Sequence, residues 1–135
     1  MISARRFQEA VLLKLLADST LTGVVGEEIR EADYQATNFV YPNVRVSRAE
    51  ILPSVGGGCP YPVSFTVSVN SQQPSSQECT DIFDIVLQVL ERRQLETTSV
   101  RSVEITYQGC SPAHRTSVDS WRADAYFSTR AVPRG

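Results

Sequence analysis

The stretch Val63-Ser64-Phe65-Thr66-Val67-Ser68-Val69-Asn70 alternates without a break between apolar and polar side chains. A strand places successive side chains on opposite faces. Val63, Phe65, Val67 and Val69 therefore point one way and Ser64, Thr66, Ser68 and Asn70 the other. Such a strand suits an antiparallel sheet with one face covered and one face open. The alternation stops at the polar turn Ser71-Gln72-Gln73-Pro74.

The covering layer is legible on both sides of this strand. Downstream, Ser75-Ser76-Gln77-Glu78 fits a capping box, in which side chains at both ends satisfy orphan backbone N–H groups. A cap of this kind is worth about 1 kcal/mol. Cys79, Ile82, Phe83, Val86, Leu87 and Leu90 then recur at i, i+3 and i+4, and Asp81, Asp84, Gln88, Glu91 and Arg92 take the opposite side. Upstream, residues 4–18 place Phe7, Val11, Leu12, Leu13, Leu15 and Leu16 on a wide apolar arc. Arg5, Arg6, Glu9 and Lys14 fill the remainder, and the width predicts a helix covered on more than one side. Leu21-Thr22-Gly23-Val24-Val25-Gly26 reads as a short turn ending at its glycines.

Residues 27–41 sustain no period and read as a long loop. Residues 44–51, marked by Val44, Val46 and Ile51, read as a strand. Residues 52–61 carry Gly56-Gly57-Gly58 between prolines and read as a flexible hairpin connection or projecting loop. Val103, Ile105 and Tyr107 mark a third strand, and Trp121, Ala123, Ala125 and Phe127 a fourth. Residues 109–120 form a polar connection between them. The expected fold is α+β: a roughly four-stranded antiparallel sheet, two helices packed on one face, and long interface loops.

A chain of 135 residues fits one domain spanning 1–135. Thirteen basic against fifteen acidic residues give a net charge of -2, no broad electrostatic reason to hold nucleic acid. No run approaches the roughly 18 apolar residues of a membrane span. Arg5 and Arg6 before Val11-Leu12-Leu13 resemble a signal peptide only superficially, since Lys14 and Asp18 break the segment. Cys59, Cys79 and Cys110 are odd in number and lack a CxxC pair, which fits reduced thiols in a cytoplasm.

Catalytic and metal chemistry finds little support. His114, the single histidine, has Cys110 four residues before it and Cys59 elsewhere, but structural zinc takes four ligands at recognisable spacings. Gly56-Gly57-Gly58 precedes a strand, whereas phosphate cradles precede a helix. Asp81 and Asp84 sit near a helix start, where negative charge complements the dipole. The basic residues are all arginines except Lys14, a bias that suits interfaces. The expectation is a non-enzymatic protein with no cofactor and no metal.

The order of elements resembles the tail terminator (tail completion) proteins of tailed bacteriophages and their minor tail relatives. The phrases that carry it are Leu15-Leu16-Ala17-Asp18 before Leu21-Thr22-Gly23-Val24-Val25-Gly26, the alternating strand ending at Ser71, the helical rhythm from Ile82 to Leu90, and the aromatic last strand from Trp121 to Phe127. The chain departs from that pattern at Glu27-Glu28-Ile29-Arg30 and in residues 52–61.

The resemblance implies a structural virion protein at the head-proximal end of the tail, assembled in the host cytoplasm. It implies a ring of copies of the chain, commonly hexameric, that caps the tail tube and ends elongation. The ring would join the tail to a head-side connector or neck protein, and meet a sheath protein where the tail contracts. Genome DNA would pass through the lumen without sequence-specific binding, and no membrane is involved. On this reading Val55, Gly57, Cys59 and Tyr61 contact neighbouring subunits or the tube, as does the connection around residues 110–120. Arg45, Arg48, Arg122 and Arg130 are candidates for inter-subunit ion pairs. A neck or head-completion adaptor is the nearest alternative. A ferredoxin-like enzyme or ligand-binding domain using His114, Cys110 or Tyr107 at the sheet edge is the rival from another class.

Overall fold

The computed structural model describes residues 2–34, 40–53, 60–117 and 119–134. Strand β4 (Tyr61–Gln72) extends the alternating stretch at both ends and pairs along all twelve residues with β7 (Ser120–Pro133). Val63, Phe65, Val67 and Val69 are buried, and their register partners Phe127, Ala125 and Ala123 share that face. The helices α1 (Ala4–Leu16), α2 (Ser19–Val25) and α3 (Gln77–Leu90) supply the covering layer. Phe7 of α1 reaches Phe65 with centroids 5.5 Å apart, Phe65 stacks on Phe127 at 5.3 Å, and Tyr107 tilts against Phe127 at 5.9 Å. These rings tie the first helix to the two central strands.

The sheet is larger than the four strands expected. Among the described residues β1 (Ile29–Glu31), β2 (Asn43–Val46), β3 (Glu50–Ile51), β5 (Val100–Ser102) and β6 (Thr106–Ser117) join β4 and β7 in a seven-stranded sheet, in the order β1-β2-β4-β7-β5, with β3 on β4 and β6 on β7. Within residues 27–41, expected to be loop, β1 (Ile29–Glu31) pairs in parallel with β2 (Asn43–Val46). A three-residue strand has no period to detect, and its order comes from a partner well removed in sequence. The strand expected over residues 44–51 is broken into β2 and β3 (Glu50–Ile51), both antiparallel to β4. The strand expected around Val103 divides into β5 (Val100–Ser102) and β6 (Thr106–Ser117). Between them Val103 is exposed and Thr129 Oγ1 donates to the carbonyls of Val103 and Glu104 at 3.0 and 3.2 Å.

The largest correction concerns residues 109–120. They are mostly β6, which pairs with β7 in a long hairpin carrying three register shifts. This strand lies at the sheet edge and is half-exposed or exposed throughout, so burial imposes no apolar alternation on it. Gly109 takes φ 130 at the first shift, a conformation that L side chains resist.

The helices also differ in detail. Residues 21–26, expected as a short turn ending at its glycines, lie mostly in α2, whose N-cap Asp18 accepts from the Leu21 N–H at 2.9 Å. The capping box at residues 75–78 does not form. Ser76 is the N-cap of α3 and makes no side-chain cap bond, while Ser75 Oγ accepts from Gln77 N at 3.4 Å. Helix α1 packs against strands β1, β2 and β5 and against both other helices, as its wide apolar arc predicts, but the covering stops short of Leu13 and Leu16, which stay 59% and 40% exposed.

Candidate assembly surface

The sheet face turned away from the helices is polar, and its register orders it into rows. One row crosses five strands as Arg30, Arg45, Ser68, Asp124 and Ser111. A second runs Asn43, Asn70, Arg122, His114. Residues paired in register share a face and approach closely enough to interact. In the first row Ser68 Oγ donates to Asp124 Oδ1 at 2.6 Å, and Arg122 approaches the same oxygen at 3.0 Å from the neighbouring row. Arg122 Nη2 also donates to Ser68 Oγ at 3.3 Å. Asn70 Nδ2 donates to Asn43 Oδ1 at 3.0 Å, and Ser111 Oγ meets the Tyr126 hydroxyl at 2.9 Å.

At the β1 end, Arg45 is buried although it sits on the open side. Its guanidinium lies 3.7 Å from Glu28 Oε2 and donates to the carbonyls of Glu28 and Val44 at 3.4 and 3.2 Å. Arg30 Nε is 3.6 Å from the same carboxylate oxygen, and the Arg30 guanidinium stacks 4.3 Å above the Tyr34 ring. Burial pulls the Arg45 pKa below its ordinary value, and Glu28 opposes that pull. Sequence reading missed Glu28, Arg30 and Tyr34, because a parallel strand pair leaves no local signature.

The expected interface residues therefore fall into separate groups. Arg45 and Arg122 lie on the polar rows, each engaged with a carboxylate of its own chain. Arg48 is exposed beside Asp33 at 3.7 Å. Tyr61 and Arg130 lie at the far end of the sheet but on opposite faces, Tyr61 with its register partner Ala131 on the helix side and Arg130 with Pro62 on the polar side. Arg130 is exposed and makes no ion pair among the described residues. Exposed Leu52 and Val103 flank a depression of about 300 Å³ beside Arg130, with Val63 and Thr129 also lining it. Val55, Gly57 and Cys59 lie outside the described residues.

Of the residues nominated for chemistry, Tyr107, Cys110 and His114 all lie on β6. His114 Nδ1 lies 3.0 Å from the Pro112 carbonyl of its own strand, and both His114 and Cys110 are exposed on β6. The hydrogen bond with Cys110, followed by burial, pushes the Tyr107 hydroxyl up to about 12. Cys79 is a core thiol that donates to the Val69 carbonyl at 3.6 Å. Burial pushes it up to about 11, which leaves it a poor nucleophile. Among the described residues no group of three or more His, Cys, Asp or Glu side chains could hold a metal ion. No helix among them is long and apolar enough to cross a membrane.

No protein-family model matches the sequence, and no curated protein does. Among solved structures, the fold is similar to that of a chain in the virion of a native gene transfer agent particle. The identity is 22%, the TM-score is 0.80, and the likeness covers 92% of each chain.

Proposed function

We propose that this chain is a structural virion protein of the tail-terminator type. It assembles as a ring of copies, commonly six, that caps the tail tube, ends its elongation and joins it to a head-side connector or neck protein. The observation that carries this reading is the likeness in fold, over 92% of both chains, to a chain from the virion of a gene transfer agent particle. The order of elements read from the sequence supports it independently. The polar sheet face suits a passage for DNA, since Arg45 and Arg122 are each matched by a carboxylate at close range. With Arg30 and Arg45 sharing Glu28 and Arg122 on Asp124, these groups carry only a small net positive charge to hold phosphates.

The test is addition of the purified protein to tail tubes assembled without a terminator. The expected result is an extra ring at the head-proximal end by electron microscopy and tubes that stop growing. Replacing residues 55–59 by serines should abolish joining to heads while the melting temperature of the protein is unchanged. Density on heads instead of tubes would identify the protein as a neck adaptor, and binding to neither would refute the reading.

A further inference from the structure

Three of the exposed large apolar side chains lie on the helix layer, at two places separated by the length of α3. Val24, 46% exposed, lines a groove of about 610 Å³ between the end of α2 and the start of α3, together with Pro74, Glu78, Asp81 and Ile85. Helix α3 carries Glu78, Asp81 and Asp84 and no cation within Gln77–Leu90. The Glu78 Oε1 atom is buried without a hydrogen-bond partner. At the other place Leu13 and Lys14 line a groove of about 640 Å³ with residues 94–98, and Leu16 is exposed one turn further along α1. Arg92 and Arg93 leave α3 exposed there. Neither they nor Lys14 make an ion pair among the described residues, while Glu96 in that groove is engaged by Arg134 at 2.8 Å.

Acidic residues at a helix start and basic ones past its end complement the helix dipole, and that alone accounts for the charges. It does not account for the apolar side chains left in water beside each charged group. The two patches match as a socket and its complement, one apolar and acidic, the other apolar and basic. Fourteen residues at a rise of about 1.5 Å separate them by about 21 Å, so one copy cannot join its own two patches.

We infer that the groove at Val24, Glu78 and Asp81 of one copy receives Leu13, Lys14 and Arg93 of a second copy of this chain. Two different patches in contact make a head-to-tail interface, which closes into a ring when the rotation per copy allows. The inference deepens the ring reading above and rests on it. It leaves the polar sheet face outside the contact and free to line a passage.

Lys14 is the chain's single lysine, which makes the test direct. A carbodiimide reagent joins an amine to a carboxylate only where they touch. In the assembled protein it should link Lys14 of one chain to Glu78, Asp81 or Asp84 of another. K14R should keep the assembly and lose the link. Two reversed variants, D81K/D84K and K14E/R93E, should each associate about tenfold more weakly per reversed pair. An equimolar mixture of the two should regain wild-type size by light scattering, since every contact in the alternating assembly is again between opposite charges. An assembly that keeps its size in both variants overturns this interface and leaves the ring reading standing. A chain that is monomeric alone and on tail tubes overturns both.

Discussion

Replacing Phe65 tests whether the aromatic link between the first helix and the two central strands holds the fold together. Phe65 is 4% exposed, packs on Phe7 at 5.5 Å and stacks on its register partner Phe127 at 5.3 Å. Truncation to alanine removes a buried ring and leaves a cavity that the sheet, hydrogen-bonded on both sides of β4, cannot collapse. The expected cost is about 3–5 kcal/mol, a large share of the roughly 5–15 kcal/mol that holds a domain folded. At about 2.1 cal/mol/K per residue, 135 residues unfold with an entropy of about 0.28 kcal/mol/K, so a loss of about 4 kcal/mol lowers Tm by about 14 °C. F65L keeps most of the buried volume and forfeits only ring geometry, so about 1–1.5 kcal/mol is expected. T66A, next along the strand but on the open face, should stay within about 0.5 kcal/mol. Urea unfolding followed by circular dichroism is the assay, with a lowered midpoint at unchanged slope. A loss below about 1 kcal/mol for F65A, or equal losses for F65L and F65A, would refute this account of the core.

The caps separate what the sequence suggested from what forms: D18A should cost about 1 kcal/mol through α2, and S75A only a few tenths, by the same unfolding assay. Cys79 retains a proton in the folded state that the unfolded chain loses near pH 8.5–9. Stability should therefore be intact below about pH 8.5 and fall by about 1 kcal/mol per pH unit from there toward pH 11. Tyr107 adds to the fall above about pH 10, and C79A should flatten the first part of the profile. A slope between pH 9 and 10 as steep in C79A as in the wild type would show that another group titrates. R45A should cost about 1–3 kcal/mol, because Glu28 loses a buried partner and two carbonyls lose a donor. R48A should stay within about 0.5 kcal/mol, since its pair with Asp33 is solvated on both sides, and denaturation titrations check the contrast.

The elements whose burial repeats with a period, β4, β7, α1 and α3, are legible from the residues alone because Phe65, Phe127, Phe7 and Ile82 must all reach one core. The alternation also marks the open sheet face as polar, since Ser64, Thr66, Ser68 and Asn70 have to point away from that core. The remaining features arise from contacts between segments distant in the chain. Strand β6 carries no apolar alternation because it is an edge held by backbone bonds to β7, and β1 is ordered by a partner strand more than ten residues away. The pairing of Arg45 with Glu28, and of Arg122 with Asp124 and Ser68, depends on register across strands, which side-chain spacing along one strand does not encode. Leu13 and Leu16 show the converse limit. Helical periodicity placed them on an apolar arc, but how much of that arc is covered depends on what packs against it, and here the covering stops short.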